Sequence, residues 1–136
     1  MEKYESKQQR ILKPASMVYS VVSDFSNFTP ILQDKVDDWQ ADADTCSFKV
    51  KGITARLRIV ERIENELIKI EGEDGSPVDF TFWMQLKEVD ERDTRMRIVL
   101  HAHLNMMMKM MIGGKLQQAV DQIAEQVATT FNSMPY

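Results

Sequence analysis

From Gln33 to Leu104 the apolar residues fall at every second position, and after Asn105 they return at every third or fourth. No other property restricts the fold of this chain as much. A period of two marks strands with one buried face, and a period near 3.6 marks a helix with one buried stripe. A long run of strands that are greasy on one side needs a cover, and the helix after Asn105 is the one element long enough to supply it.

The turns allow the strands to be set in register. Gly52-Ile53 reads as a two-residue hairpin loop, which places Val50 opposite Ala55, Phe48 opposite Leu57 and Cys46 opposite Ile59. Asn65-Glu66 as the next loop pairs Ile63 with Ile68 and Ile59 with Gly72, and so turns Glu61 inward opposite Ile70. Past a loop from Gly72 to Pro77, Val78, Phe80, Phe82, Met84 and Leu86 alternate with Asp79, Thr81, Gln85 and Lys87. The last strand sets Met96, Ile98, Leu100, Ala102 and Leu104 inward, with Met96 facing Met84, and Arg95, Arg97, His101 and His103 outward. This pattern predicts an antiparallel meander with one apolar and one wet face.

Ahead of the meander, the first residues read as one strand ending at Ile11-Leu12. Pro14 suits a helix start, with Met17, Val18, Val21 and Val22 on one face. The segment Asp24-Phe25-Ser26-Asn27-Phe28-Thr29-Pro30 breaks that helix, and Pro30 opens a second short one through Leu32. At the far end Asn105 is a good N-cap, and Leu116, Val120, Ile123, Val127 and Phe131 form a core-facing stripe.

The order strand, two short helices, six strands and a long helix, with the Pro14 to Val22 helix and the Asp24 to Phe28 bend, resembles the START-like or SRPBCC superfamily. The resemblance covers the whole chain, residues 1–136 read as a single domain, and is one of topology and pattern without a signature motif. It implies an α+β helix-grip fold, β-α-α-β6-α, in which a curved antiparallel sheet wraps a long C-terminal helix. It also implies an apolar cavity between sheet and helix that takes a lipid, quinone or polyketide-like molecule. Function varies widely on this fold, so the fold cannot name a reaction.

Composition removes other classes. One cysteine and two histidines in 136 residues supply neither a disulfide framework nor a zinc site. A net charge of −4 argues against nucleic acid as a partner. The chain shows no signal peptide and no run of apolar residues long enough to span a membrane, so a cytoplasmic protein is expected.

The candidate ligand-binding residues follow from the inward register. Phe80, Phe82, Met84, Met96, Ile98 and Leu100, with Trp39 and Phe48, line the expected cavity, and Leu116 and Val120 close it from the helix side. Ala41, Ala55, Gly72 and Ala102 between them leave volume unfilled. The competing account is a solid core in which small residues only accommodate large ones.

Glu61, inward by register, and Trp39 are the nameable polar groups, and Glu61 would act as a general acid or base, or anchor a ligand hydroxyl; the alternative is a strand end splayed into water or a bulge that turns it outward. Methionine fills five of the six positions from Met106 to Met111, directly before Gly113-Gly114. The cluster reads as a flexible gate, with Met107 and Met111 at the cavity mouth and the glycines as hinge, or else as a buried first turn packed on Phe25 and Phe28. His101 and His103 share the outward face, where pairing with Thr81 and Asp79 explains them better than a metal. Arg56, Arg58, Arg62, Arg95 and Arg97 read as a solvated mixed-charge surface, and Cys46 as a buried, inert thiol.

The expected function is non-catalytic carriage or sensing of a hydrophobic small molecule, with no cofactor. The alternatives are a polyketide cyclase or aromatase-type enzyme, which would need polar groups converging in the cavity, and a partner-binding module of the chaperone-activator kind that uses the methionine patch, homodimerisation included.

Overall fold

Residues 2–50, 52–73 and 79–135 are described in the computed structural model of the chain. The strand pattern condenses into one antiparallel eight-stranded sheet. Its elements are β1 (Glu2–Glu5), β2 (Gln9–Ile11), β3 (Asp37–Ala41), β4 (Thr45–Val50), β5 (Ile53–Ile63), β6 (Leu67–Gly72), β7 (Phe80–Asp90) and β8 (Asp93–Ala102). They lie in the order β1-β8-β7-β6-β5-β4-β3, with β2 also paired to β8. Helices α1 (Ala15–Val22) and α2 (Thr29–Leu32), separated by a 3-10 turn at Phe25–Phe28, follow β2, and α3 (Met106–Asn132) is the last described element. This is the expected α+β architecture, a curved antiparallel sheet gripping a long C-terminal helix.

The first strand is interrupted rather than continuous. Tyr4 pairs with Leu100 and Ile11 with Thr94, so the register gains one residue between β1 and β2. That extra residue switches the inward positions from Tyr4 and Ser6 to Ile11 and Lys13, all buried. The Ser6 hydroxyl completes the ladder across the gap by accepting from Ile98 N at 2.9 Å. Pro14 precedes α1 as its cap, and Glu88 of β7 accepts from the first helical N–H, Ala15, at 2.9 Å. Val18 and Val22 are buried as expected, with Ala15 in place of Met17.

Two hairpins differ in register from expectation. Val50 pairs with Ile53, Phe48 with Ala55 and Cys46 with Leu57. Gly52 takes φ +80°, a conformation that glycine adopts without strain. The shift is by two residues, so Cys46, Phe48, Ala55 and Leu57 keep their expected face. The β5–β6 turn differs in a way that matters more. Asn65 adopts φ 64°, Ile63 pairs with Leu67, and the extra residue is absorbed by a bulge between Ile59 and Glu61. Beyond that bulge the faces are exchanged. Glu61 lies exposed on the outer face opposite Lys69, Ile63 is exposed, and Arg62 shares the inner face with Ile68. The Arg62 guanidinium donates to the carbonyls of Ser23 and Ala43 and pairs with Asp44 at 2.7 Å, pinning the end of α1 to the β3–β4 turn.

The β7–β8 hairpin follows the expected faces, with Met96 opposite Leu86 and Met84 opposite Ile98 rather than each other. On the outer face His101 pairs with Thr81 and packs edge-on to Trp83 at 4.6 Å, and His103 N donates to Asp79 O. Val78 and the loop residues Asp74 to Pro77 lie outside the described residues.

The Asn105 side chain accepts from Met108 N at 2.8 Å and starts α3 as expected. The helix runs unbroken through Gly113 and Gly114 to Asn132, so the glycines are no hinge in the helix axis. Gly113 is buried where a Cβ would come within 3.3 Å of Tyr4 Oη, and Gly114 faces open space. Val120, Ala124, Val127, Ala128 and Phe131 are buried in the main core with Ile11, Val18, Met96 and Ile98. Ile123, expected in that stripe, is 42% exposed at its flank. Polar side chains fasten α3 to β1 and β2. Gln117 Nε2 donates to Glu5 O, Asp121 accepts from Lys7 N, and Asn132 accepts from Leu12 N while donating to Arg10 O. Among the described residues, no helix is long and apolar enough to cross a membrane.

Candidate functional site: an apolar cavity between sheet and helix

Because α3 packs over β1, β2 and β8, it leaves the concave face of the remaining strands partly uncovered. A cavity of about 450 Å³ fills that space. Its floor comes from alternate residues of β4 to β7, namely Cys46, Phe48, Leu57, Ile68, Ile70, Phe80, Phe82 and Met84. Val22, Phe25, Phe28, Leu32, Val36 and Trp39 form one wall, and Gln122, Ile123, Gln126 and Val127 of α3 form the other. Lys35, Gln122, Ile123 and Gln126 are the lining residues that stay exposed, so the mouth opens between the α2–β3 segment and the C-terminal half of α3.

The wall opposite the helix is built by local geometry. A register shift between Asp37 and Gln40, with Asp38 at φ 54°, turns Trp39 inward. The Trp39 indole N–H donates to Thr29 Oγ1 at 2.8 Å and its ring packs 6.0 Å from Phe48. The tryptophan is thereby tied to both α2 and the sheet. Its hydrogen bond satisfies the polar end and leaves the ring to the cavity.

Cys46 is buried in the floor. Burial first, and then the carboxylates of Asp42 and Glu73, push its thiol up to about 12. A group so protonated is no nucleophile near neutral pH. The other polar lining side chains, Lys35, Gln122 and Gln126, stand at the mouth and not in the interior.

Of the residues expected to line the cavity, Trp39, Phe48, Phe80, Phe82 and Met84 do so. Met96, Ile98, Leu100 and Val120 are instead packed in the core beneath α3, with Leu116 half-buried against it. They face the helix where it touches the sheet. Ala41, Ala55, Gly72 and Ala102 do not line the cavity either; the space arises from the helix's offset. Glu61 is outside it, displaced by the bulge at Val60. Met107 and Met111 are exposed, and Met107 stands about 22 Å up the helix from Gln122 at 1.5 Å per residue, so they do not form the mouth. Nor is the first turn of α3 buried on Phe25 and Phe28, which belong to the cavity wall.

Sequence reading missed the contribution of the α1–α2 region. Val22 and Phe25 carried a usable signal, since apolar residues at a helix end and in the following bend must face something. The offset of α3 carried none.

The scaffold is a helix-grip fold, the fold that the START-like resemblance implied. Solved structures of this fold match nearly the whole chain at low identity. Norcoclaurine synthase from Thalictrum flavum superposes with a TM-score of 0.73 at 10% identity, covering 98% of this chain and 87% of that one. A point mutant of the same enzyme in complex with a transition state analogue gives 0.68 at 12% identity, covering 93% of each chain. The Aha1 dimer from Colwellia psychrerythraea gives 0.68 at 14% identity, covering 98% of this chain and all of that one. No protein-family model matches the sequence, and no curated protein is significantly similar to it.

Proposed function

We propose that the protein binds a hydrophobic small molecule in the cavity between sheet and helix, as a carrier or sensor. The observation that carries this reading is a cavity of about 450 Å³ with an apolar interior and polar groups confined to its mouth. Water at the bottom of such a space finds few partners, so an apolar occupant is favoured over solvent. At about 30 Å³ per water-sized group, the space takes on the order of 15 non-hydrogen atoms. A medium-length acyl chain or a compound of two or three rings fits that size. That an enzyme of this fold holds a transition state analogue supports a small-molecule occupant here as well. A cyclase would need acid or base groups inside the cavity, and the position of Lys35, Gln122 and Gln126 at the mouth favours the carrier over it.

The two tryptophans make the reading testable, because Trp39 lines the cavity and Trp83 sits on the outer face. Native mass spectrometry of protein purified from lysate should release a bound lipid, quinone or polyketide-like compound. Titration of the emptied protein with a medium-chain fatty acid should change the emission of Trp39 in a Trp83→Phe background and leave a Trp39→Phe protein silent. An empty protein whose Trp39 responds to no apolar compound would rule the reading out.

A further inference from the structure

The buried face of α3 continues beyond its cover. Met106, Met110, Gly113, Val120 and Ala124 share one side of the helix by their spacing. Gly113, Val120 and Ala124 are buried, yet Met106 and Met110 are 80% and 82% exposed. The first two turns therefore overhang the sheet. Met107 and Met111, 71% and 67% exposed, widen the same apolar tip. Side chains that keep two-thirds or more of their surface are unshaded by neighbours, so the tip is convex and not a groove.

Its charge runs against that of the whole chain. The net charge is −4, but no Asp or Glu occurs between Asp93 and Asp121. The first turn of α3 holds no acid, which leaves the positive end of the helix dipole uncompensated by its own side chains. Lys115 is exposed two positions after Gly113, and Lys109 is exposed with Glu2 as its partner at 3.3 Å.

We propose that this methionine tip docks on a lipid bilayer that carries anionic headgroups. The thioethers enter the boundary between headgroups and acyl chains, while Lys115 and the helix end face the negative surface, Lys109 being already paired with Glu2. Methionine suits such a boundary because its unbranched, polarizable side chain adapts to an irregular apolar medium. A second copy of the chain fits the tip less well. Two convex tips meet over little of the roughly 1,200 Å² that a stable interface needs, and they bring two positive helix ends and their lysines together. A bilayer deforms around the tip and complements its charge. The cavity mouth lies toward the other end of α3, so docking leaves it open. This inference stands whatever the cavity holds.

The test is flotation of the purified protein with phosphatidylcholine vesicles, with and without phosphatidylserine. Binding is expected to the phosphatidylserine vesicles and to weaken as salt is raised. Lys115→Gln should lower the partition roughly fivefold, and Met107→Asp with Met110→Asp by roughly tenfold or more. These side chains are exposed, so thermal unfolding of the variants should match the parent. The proposal is overturned by no flotation, by equal flotation with both vesicles, or by flotation that survives the paired methionine replacement. It is equally overturned if sedimentation without vesicles reveals a dimer that the same replacement dissolves, since the tip is then an interface between copies.

Discussion

Cys46 illustrates how position controls chemistry at the scale of one residue. Its sulfur lies in the cavity floor, and burial with two nearby carboxylates holds the thiol protonated far above neutral pH. Alkylation by iodoacetamide, which needs the thiolate, should therefore be negligible at pH 8 in the folded protein and rapid once it is unfolded in urea. Fast labelling of folded protein would mean that the floor is open to water. Glu61 and Arg62 make the complementary case. One inserted residue at Val60 exchanges their faces, so the carboxylate faces solvent and the guanidinium braces the end of α1. A period-two reading carries no information about where a strand gains a residue, since polar and apolar types alternate equally well on either side of a bulge. The same limit hid the break between β1 and β2. Where no residue was inserted, as along most of β7 and β8, alternation from Phe80 to Ala102 placed the inward faces correctly.

Among the elements, α3 departs furthest from expectation. Its glycine pair suggests a hinge, yet the two glycines occupy different surroundings. Gly114→Ala adds a methyl to open space and removes backbone freedom from the unfolded chain, so it should stabilise the protein by about 0.5–1 kcal/mol. Gly113→Ala gains the same helical preference but must displace the Tyr4 hydroxyl, 3.3 Å from the new carbon, and should yield distinctly less. Urea denaturation of the two variants measures the difference, and equal gains would remove the close approach as the reason for Gly113. The existence, cap and direction of α3 were legible in Asn105 and in the spacing from Val120 to Phe131. Its lateral offset toward β1, β2 and β8 was not, because a helical stripe identifies a buried face without saying which strands bury it. That offset is why Trp39 and Phe82 face a cavity while Met96 and Ile98 lie in solid core.

For the whole molecule, three carboxylates act as pins between distant parts of the chain or across its turns. The backbone N–H of Lys7, then the Gln117 side chain, holds Asp121 below the usual carboxylate range. Backbone N–H groups of Thr45 and Asp44 do the same for Asp42, and the Arg95 guanidinium, with Arg10, does so for Asp93. Each binds its proton less tightly folded than unfolded, so its contribution is complete above the ordinary value of 3.8 and is lost as pH falls through the lowered folded value. Unfolding free energy followed by circular dichroism should be flat, as far as these groups decide it, above about pH 5 and decline below about pH 4. Asp121→Asn should make that decline shallower; an unchanged acid limb would show that Asp121 is not one of the pins. The bonds from Gln117, Asp121 and Asn132 have a wider consequence. They occupy the carbonyls of Glu5 and Arg10 and the N–H groups of Lys7 and Leu12, along the outermost border of the sheet. Such groups, left open, are a template on which other chains polymerise. The gripping helix thus also denies that border to a further pairing strand, and the irregular β3, with Asp38 in a left-handed conformation, blunts the opposite border.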